Sequence, residues 1–429
     1  MVRLSGAGVT SVGAKLLNAP LPPPRTARLA RFYAADGQPL DQGLALYFPA
    51  PGSFTGEDVL ELHAHGSPVV LDQLLNAALI HGARMARPGE FSERAFLNGK
   101  LDLTQAEAIA DLINSTTLAQ ARLASRSLQG AFAQAIDQLL EGLIALRVMI
   151  EADLDFADEA LELADNSQLQ EDLAQLIAAT ETLLVQAQQG ERVREGLTVV
   201  IAGAPNAGKS SLLNALCGQE RAIVTAIPGT TRDLLHSDLV FDGLPLRLTD
   251  TAGLRSGGDA IEQEGMRRAR HEISQADHLL WVFDAMADPD AASLDQTTLP
   301  AELPLTLIRN KIDCLDQVPR IEQRADGLTT ISLSATTGAG LELLRDQLKA
   351  QMIDHGSTEG LFSARRRHLD ALERALTALH AAAAQLIKLE AELVAEELRQ
   401  AQQALGEITG VLTSDELLGR IFAEFCIGK

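Results

Sequence analysis

Residues 203–210 read Gly-Ala-Pro-Asn-Ala-Gly-Lys-Ser and directly follow the apolar run Val199–Ala202. This is the pattern G-x-x-x-x-G-K-S between a buried strand and a helix, here the helical stretch Leu212–Leu216. In such a loop the backbone N–H groups surround phosphates, the lysine reaches the β- and γ-phosphate oxygens, and the serine hydroxyl binds Mg²⁺. The stretch therefore predicts a phosphate-binding loop within an α/β domain.

Three further elements follow in the order that a guanine-nucleotide site requires. Asp250-Thr251-Ala252-Gly253 ends a short strand and predicts a carboxylate near Mg²⁺ and a γ-phosphate contact at Gly253. Asn310-Lys311-Ile312-Asp313 follows the run Leu305–Ile308, and its aspartate can accept both the ring N–H and the amine of guanine. Ser334-Ala335-Thr336, after the next strand, would contact the guanine carbonyl. Together these elements predict a guanine-nucleotide-binding P-loop protein.

The residue after Asp-Thr-Ala-Gly is Leu254, where many small GTPases place a glutamine that orients water. Leucine cannot orient water, so hydrolysis needs another group. Glu262 and Glu264 downstream are the candidates, together with a positive charge other than an arginine finger. Arg255 is close in sequence, but an arginine in a loop is more often solvated.

The sequence around this α/β segment has three compositional regimes. Residues 1–98 mix Gly and Pro with short apolar runs, such as 44–48 and 59–62, that predict strands. From Leu101 to about Glu195 the spacing is helical, with Thr104 and Glu107 as a T-x-x-E capping box, and helical spacing returns after residue 361. We therefore expect the α/β domain to be inserted into a discontinuous helical domain, although spacing alone also allows two separate helical domains.

Composition limits the functional classes. The 429 residues suggest about three domains, and 36 basic against 58 acidic side chains argue against a broad nucleic-acid-binding surface, though not against a local patch. Three distant cysteines favour a reducing cytosol. No apolar run approaches the ~20 residues of a membrane span, and no secretory signal is expected. His63 and His65 could form a metal pair, but a structural role is the better interpretation.

Seven motifs resemble the tRNA modification GTPase MnmE (TrmE) family, and they extend over essentially the whole chain. They are residues 53–58, 87–96, 101–108, 205–210, 229–233, 250–255 and the terminal Phe425-Cys426-Ile427-Gly428-Lys429. The resemblance implies an α+β tetrahydrofolate-binding and dimerisation domain at residues 1–98. It also implies a helical domain at 99–195 plus 353–429, and a G domain with a parallel α/β sheet at 196–352.

The resemblance also implies an activity and its partners. The protein would be a cytoplasmic, bacterial-type, homodimeric and K⁺-dependent GTPase. With the flavoprotein MnmG (GidA), which carries FAD, it would add a carboxymethylaminomethyl-type group to C5 of the wobble uridine of certain tRNAs. The carbon would come from a one-carbon tetrahydrofolate in the 5-formyl or methylene form.

Site residues follow from the same resemblance. Glu262 would be catalytic, Ser210 and Thr231 would bind Mg²⁺, and K⁺ would be bound by Asn206, Thr225, Ile227 and Thr230. The remaining GTP-binding positions would be Ala207, Gly208, Lys209, Ser211, Ala226, Pro228, Gly229, Asp250, Thr251, Ala252, Gly253, Asn310, Lys311, Asp313, Ser334, Ala335 and Thr336.

For the folate, the resemblance implies Arg3, Glu61, Lys100 and Lys429 as ligands, with Cys426 acting in the modification chemistry. One departure concerns the N-terminal domain: the family pattern has another strand and a Gly-rich turn upstream of the segment that corresponds to residues 2–6. We therefore expect this domain to lack its first strand. A second departure is Thr336, where Lys or Arg is common.

Two other functions remain open. One is a ribosome-assembly or translation GTPase, but such proteins commonly append a basic RNA-binding module, whereas residues 361–429 carry eight basic and ten acidic side chains. The other is a folate-dependent one-carbon transferase in which the G domain is only regulatory.

Overall fold

The computed structural model describes residues 1–155, 166–219, 221–222, 236–241, 244–250, 272–274, 276–294, 299–300, 303–352, 361–388, 390–411, 415–423 and 425. Contacts between Cα atoms divide the chain into two compact units. The first unit comprises Met1–Ala110, Ser127–Glu181 and Asp370–Lys429, and the second comprises Asp111–Arg126 and Thr182–Leu369. Within the described ranges we find no helix that is both long and apolar enough to cross a membrane.

A four-stranded antiparallel sheet forms the N-terminal part of the first unit. Its strands are β1 (Val2–Ser5), β2 (Arg28–Tyr33), β3 (Pro39–Phe48) and β4 (Val59–His63), in the order β1-β4-β3-β2. Helices α1 (Val9–Leu17) and α2 (Pro68–Ile80) pack on one face, where Leu16, Phe32, Leu60, Leu62 and Leu74 are fully buried. The structure confirms the strands predicted at residues 44–48 and 59–62, which lie within β3 and β4.

The structure gives the bounds of ten further α-helices. They are α3 (Glu90–Leu97), α4 (Leu103–Asn114), α5 (Leu118–Leu128), α6 (Ala131–Asp155), α7 (Asn166–Glu195), α8 (Lys209–Gln219), α9 (Leu341–Met352), α10 (Arg366–Ile387), α11 (Ala391–Thr409) and α12 (Asp415–Ala423). Helix α6 packs on α11, and Arg147 Nη1 donates to Gln402 Oε1 at 2.5 Å. Because α6 precedes the α/β segment and α11 follows it, the helical part of the first unit is discontinuous in sequence.

The start of α4 differs from the prediction. Asp102 Oδ1 accepts the backbone N–H of Gln105 at 2.9 Å, and Gln105 Oε1 accepts the N–H of Asp102 at 3.0 Å. The capping box is therefore Asp102 and Gln105, and the prediction of Thr104 and Glu107 was wrong by two residues. The earlier start places Leu103 inside the helix, where its side chain is completely buried.

The second unit contains an eight-stranded sheet. Its strands are β5 (Leu197–Gly203), β6 (Arg221–Ala222), β7 (His236–Phe241), β8 (Leu244–Asp250), β9 (His278–Asp284), β10 (Leu305–Asn310), β11 (Arg320–Gln323) and β12 (Thr329–Ser332). Their order is β11-β12-β10-β9-β5-β8-β7-β6. The predicted parallel pairing is confirmed for the five central strands, whereas pairing at both edges is antiparallel. Short connections explain the antiparallel pairing of β7 with β8 and of β11 with β12, because a parallel crossover needs a dozen or more residues.

Asp111, in the second unit, joins the two ends of the α/β insert. Its carboxylate accepts from Ser363 Oγ at 2.6 Å and from Arg365 Nη2 at 2.8 Å, and Arg194 Nη1 lies 3.9 Å away. Arg194 Nε also donates to the Ala364 carbonyl at 2.8 Å. The segment before β5 and the segment before α10 therefore lie beside each other.

Candidate functional site

The phosphate-binding loop connects β5 to α8. Gly203 has φ +140°, and a Cβ there would lie 2.0 Å from the Val282 carbonyl oxygen. Gly208 has φ +95°, and Asn206 also adopts a left-handed conformation at φ +61°. Because side chains rarely tolerate such backbone, the loop needs its glycines to bring N–H groups to the start of α8. This arrangement is suited to binding an anion.

Lys209 is the first residue of α8, and only 7% of it is exposed. Its ammonium group donates to the carbonyl oxygens of Gly203 at 3.0 Å and Ala204 at 2.8 Å. The lysine thus turns back along its own loop, which places its positive charge at the loop backbone. Ser210 and Ser211 are exposed in the first turn of α8. Their phosphate-binding and magnesium-binding roles stay predictions.

Asn310 connects the phosphate-binding loop to the loop after β12. It is only 2% exposed; its Nδ2 donates to the Ala207 carbonyl at 2.9 Å, and its Oδ1 accepts the Ala335 N–H at 3.0 Å. A Cβ at Gly208 would lie 2.2 Å from Asn310 Nδ2. Three predicted motifs are therefore joined by one buried amide. We call the ends of β5, β9, β10 and β12, with the loops that follow them, the nucleotide edge.

The residues predicted to confer guanine specificity lie on this edge. Asp313 and Thr336 are exposed, whereas Ser334 is fully buried and its Oγ accepts the Thr337 N–H at 3.2 Å. Lys311, at φ +67°, donates through Nζ to Asp284 Oδ2 at 2.7 Å. This bond is the main cause that lowers the pKa of Asp284. An exposed carboxylate beside a fixed loop can accept the paired donors of guanine.

Several predicted site residues lie outside the described residues. Asp250 ends β8 and pairs with Ile201 in the sheet, but its side chain is not described. The others are Thr225, Ala226, Ile227, Pro228, Gly229, Thr230, Thr231, Thr251, Ala252, Gly253, Leu254, Arg255, Glu262, Glu264, Cys426 and Lys429. Their roles stay predictions.

Arg3 and Glu61 face each other across β1 and β4. Arg3 Nε donates to Glu61 Oε1 at 2.8 Å, and His63 Nε2 lies 3.1 Å from Glu61 Oε2. The Arg3 guanidinium also lies 5.8 Å from the ring centre of Phe54 and 5.6 Å from that of Phe91. The structure thus brings two of the four predicted folate ligands together and gives His63 a structural partner.

Lys100 lies beside the turn that contains Gly56. A Cβ at Gly56 would be 3.3 Å from Lys100 Cε, and the Lys100 side chain is exposed. Asn98 Nδ2 donates to the Thr55 carbonyl at 2.7 Å, which ties the same turn to the end of α3. His65, the other member of the possible metal pair, contacts Asp41 instead, with Nδ1 to Oδ1 at 2.9 Å.

A network of ion pairs around the buried Glu90, next to this face, was missed by the sequence reasoning. Glu90 is 4% exposed; its carboxylate accepts from Arg84, from the Arg87 N–H at 2.8 Å and from Arg94 Nη2 at 2.8 Å. The Arg84 hydrogen bond is the main cause that lowers the pKa of Glu90 to about 2, against desolvation, which raises it. Arg94 also donates to Glu57 at 2.8 Å. The i,i+4 spacing of Glu90 and Arg94 was the available signal.

A cavity of about 650 Å³ borders this network. Its walls combine the charged groups of Arg84, Glu90 and Arg94 with the apolar side chains of Val2, Val12 and Leu71. Arg3 also lines it, so the cavity is continuous with the Arg3–Glu61 pair. Apolar walls with a few charged groups are typical of small-molecule sites.

Comparisons with known proteins agree along the whole chain. Residues 1–100 match the family description "GTP-binding protein TrmE N-terminus", and residues 103–426 match "MnmE helical domain". The chain is 54% identical over 429 residues to the tRNA modification GTPase MnmE of Methylococcus capsulatus, covering 100% of this chain and 95% of that protein. The protein of the same name from Pseudomonas syringae pv. tomato is 54% identical over 441 residues, with the same coverage.

A solved structure of the G domain of the Thermotoga maritima FeoB iron transporter aligns over 37% of this chain and 99% of its own, with 27% identity and a TM-score of 0.28. The assignment rests on the sequence matches alone. Because the helical-domain description spans residues 103–426 and the identity of 54% extends over the full length, this chain belongs to the tRNA modification GTPase MnmE family.

Proposed function

We propose that this chain hydrolyses GTP and couples the reaction, with the flavoprotein MnmG, to modification of the wobble uridine of tRNA at C5. The observation that carries the proposal is the buried Asn310, which fixes the phosphate-binding loop against the guanine-specificity loop. Support for the tRNA substrate comes from the names of the relatives. The alternative of a ribosome-assembly GTPase lacks support, because the similarity covers the N-terminal and helical regions as well.

In the proposed nucleotide site each described residue has a defined task. N–H groups of the loop and of the first turn of α8 bind phosphate oxygens, and Lys209 supplies positive charge. The exposed Ser210 hydroxyl is suited to Mg²⁺, which prefers oxygen ligands; Thr231 would be the second protein ligand. Mg²⁺, when bound, neutralises charge on the phosphates. Asp313 holds guanine through its carboxylate.

We propose K⁺ as the further cation, bound by Asn206 with Thr225, Ile227 and Thr230. The exposed, left-handed Asn206 presents an amide oxygen at the phosphate-binding loop, which fits an oxygen-only site. K⁺, when bound, supplies the positive charge that an arginine finger supplies elsewhere. Since Leu254 cannot orient water, Glu262 would position it.

The potassium proposal is tested by GTP turnover at matched ionic strength in KCl and NaCl. We expect turnover to rise steeply with K⁺ and weakly with Na⁺, and Asn206→Ala to abolish the K⁺ response. Glu262→Ala should retain nucleotide binding and stop hydrolysis. Equal rates in the two salts would contradict the proposal, and Arg255 would then be the residue to test.

We propose that the one-carbon folate binds at Arg3, Glu61 and Lys100, with Lys429. The residues present fit such a ligand: Glu61 is a fixed acceptor for the amino groups of a pterin, and Arg3 and Lys100 are cations for its glutamate carboxylates. The folate, when bound, supplies the carbon. The rings of Phe54 and Phe91 lie within 6 Å of the Arg3 guanidinium, and Cys426 would act in the modification chemistry.

The proposed organisation has a folate-binding domain at 1–98, a helical domain at 99–195 plus 353–429, and a G domain at 196–352. It also includes a homodimer in the cytoplasm.

The test is complementation of a bacterial strain that lacks its own gene for this function, followed by mass spectrometry of tRNA nucleosides. We expect the chain to restore the wobble modification and the Lys209→Ala variant to fail. Restoration of rRNA processing alone would favour the ribosome-assembly alternative, and changes in one-carbon metabolites alone would favour a transferase.

A further inference from the structure

Asp284 lies beside the guanine-specificity loop, although no motif includes it. Asp284 ends β9 and Asn310 ends β10, and the two residues are paired in the sheet register. The Asp284 carboxylate is 2.7 Å from the Lys311 ammonium, and the two side chains are 19% and 34% exposed. The pair is therefore partly shielded from solvent, and it joins the strand next to β10 to the loop that contains Asp313.

The carboxylate is already fixed by its own loop. Asp284 Oδ1 accepts the N–H groups of Met286 at 2.8 Å and Ala287 at 3.4 Å, which leaves Oδ2 for Lys311. The Ala285 N–H donates to the Asn310 carbonyl at 2.9 Å, so the two strand ends are also joined through the backbone. A rigid acceptor holds one conformation of the flexible lysine side chain, so fewer rotamers remain to be lost when a ligand binds.

We propose that Asp284 is a positioning residue for the base pocket. By holding the Lys311 ammonium at the end of β9, it fixes the four-carbon stem of Lys311 as an apolar surface on which the face of a purine packs. The inference rests on the proposed function, in which Asp313 reads the guanine edge. Asp284 then controls how tightly a purine nucleotide binds, whereas Asp313 controls which purine binds.

The experiment measures the affinity of the full chain for a fluorescent N-methylanthraniloyl-GDP. Asp284→Asn keeps an oxygen acceptor for the two loop N–H groups and removes the charge that holds Lys311. We expect binding to weaken about five- to tenfold, mainly through faster dissociation. Asp288→Asn is the matched control, because Asp288 also accepts two backbone N–H groups, from Ala292 and Ser293. It should leave the affinity unchanged.

A double-mutant cycle separates positioning from structural support. Lys311→Met keeps the apolar stem and removes the ammonium, so Asp284→Asn should have no further effect in that background. If Asp284→Asn weakens binding equally in both backgrounds, its role is structural and the proposal is wrong. Asp284→Glu, which keeps the charge, should retain more affinity than Asp284→Asn; the opposite order would also overturn it.

Base specificity distinguishes this inference from the proposed function. The Asp313→Asn variant should prefer xanthosine diphosphate. Adding Asp284→Asn to it should weaken binding of xanthosine diphosphate by the same factor by which Asp284→Asn alone weakens binding of GDP. If Asp313→Asn causes no change of base preference, the proposed function fails. If the preference changes but Asp284→Asn leaves both affinities unaltered, only the present inference fails.

Discussion

The nucleotide edge and the Arg3–Glu61 face hold their functional groups in different ways. At the nucleotide edge, positive-φ backbone and one buried amide set the geometry, so short contiguous motifs specify most of it. At the Arg3–Glu61 face, ion pairs set the geometry, and they join residues as distant as Arg3 and Glu61 or Glu57 and Arg94. A site built from backbone is sensitive to a single added methyl group, whereas a site built from ion pairs is sensitive to pH and charge.

The largest effect is expected from Gly208→Ala. The added Cβ would overlap Asn310 Nδ2 at 2.2 Å on backbone with φ +95°. Strain and the loss of the Asn310 hydrogen bonds should weaken GDP binding by on the order of a hundredfold in an equilibrium titration. Gly218→Ala, in helix α8 directly after this loop and with nothing within 4 Å of its Cβ, is the control and should bind normally. Normal binding by both variants would show that the loop tolerates the methyl group.

Asp313→Asn should change the base that is bound. The carboxylate loses one of its two acceptor positions for guanine, so GTP affinity should fall by at least about tenfold. Xanthine presents the complementary pattern and should bind better than guanine. Competition between GTP and xanthosine triphosphate measures both effects, and unchanged GTP affinity would refute the role of Asp313.

Glu90→Gln should destabilise the first unit in a pH-dependent way. The pKa of Glu90 is lowered from 4.5 to about 2, mainly by Arg84, so its charged form contributes stability above about pH 4.5 that is lost as the pH falls toward 2. We expect a cost of roughly 1–3 kcal/mol at pH 7 that shrinks at pH 3, in urea unfolding of the full chain. Glu93→Gln, which loses a single ion pair with the exposed Arg87, should lower the free energy of unfolding by less than about 1 kcal/mol at either pH.

The smallest effect is expected at the start of α4. Asp102→Ala removes an acceptor for the N–H of Gln105 and should cost about 1 kcal/mol of unfolding free energy. Asp102→Asn, which retains an acceptor, should cost less. If both substitutions have equal effects, the capping interaction does not determine where the helix begins.

More of the nucleotide edge than of the Arg3–Glu61 face could be predicted, because the former is specified by short contiguous motifs and the latter by contacts between distant residues. Lys209, Asn310 and Asp313 were found because each belongs to a contiguous motif beside a buried strand. The hydrogen bonds from Asn310 to Ala207 and Ala335 were not predicted from the sequence, because they depend on how three strand ends meet. The predicted capping box at Thr104 failed because burial of Leu103 shifts the helix start. Glu90 was part of a recognised motif, but its partner Arg84 depends on a loop that no periodicity describes.

The junction at Asp111 has a consequence for how this chain can be cut and rebuilt. Gly190 lies so close to residue 362 that a Cβ there would be 2.1 Å from the Phe362 carbonyl oxygen. The 171 residues between these two positions therefore form an insertion whose two ends lie in contact with each other. The entropic cost of closing a loop grows only slowly with its length. The inserted segment can therefore be shortened or exchanged with little change in the free energy of unfolding. The inserted segment is therefore a replaceable module, and a linker of a few residues could join the two ends that its removal leaves.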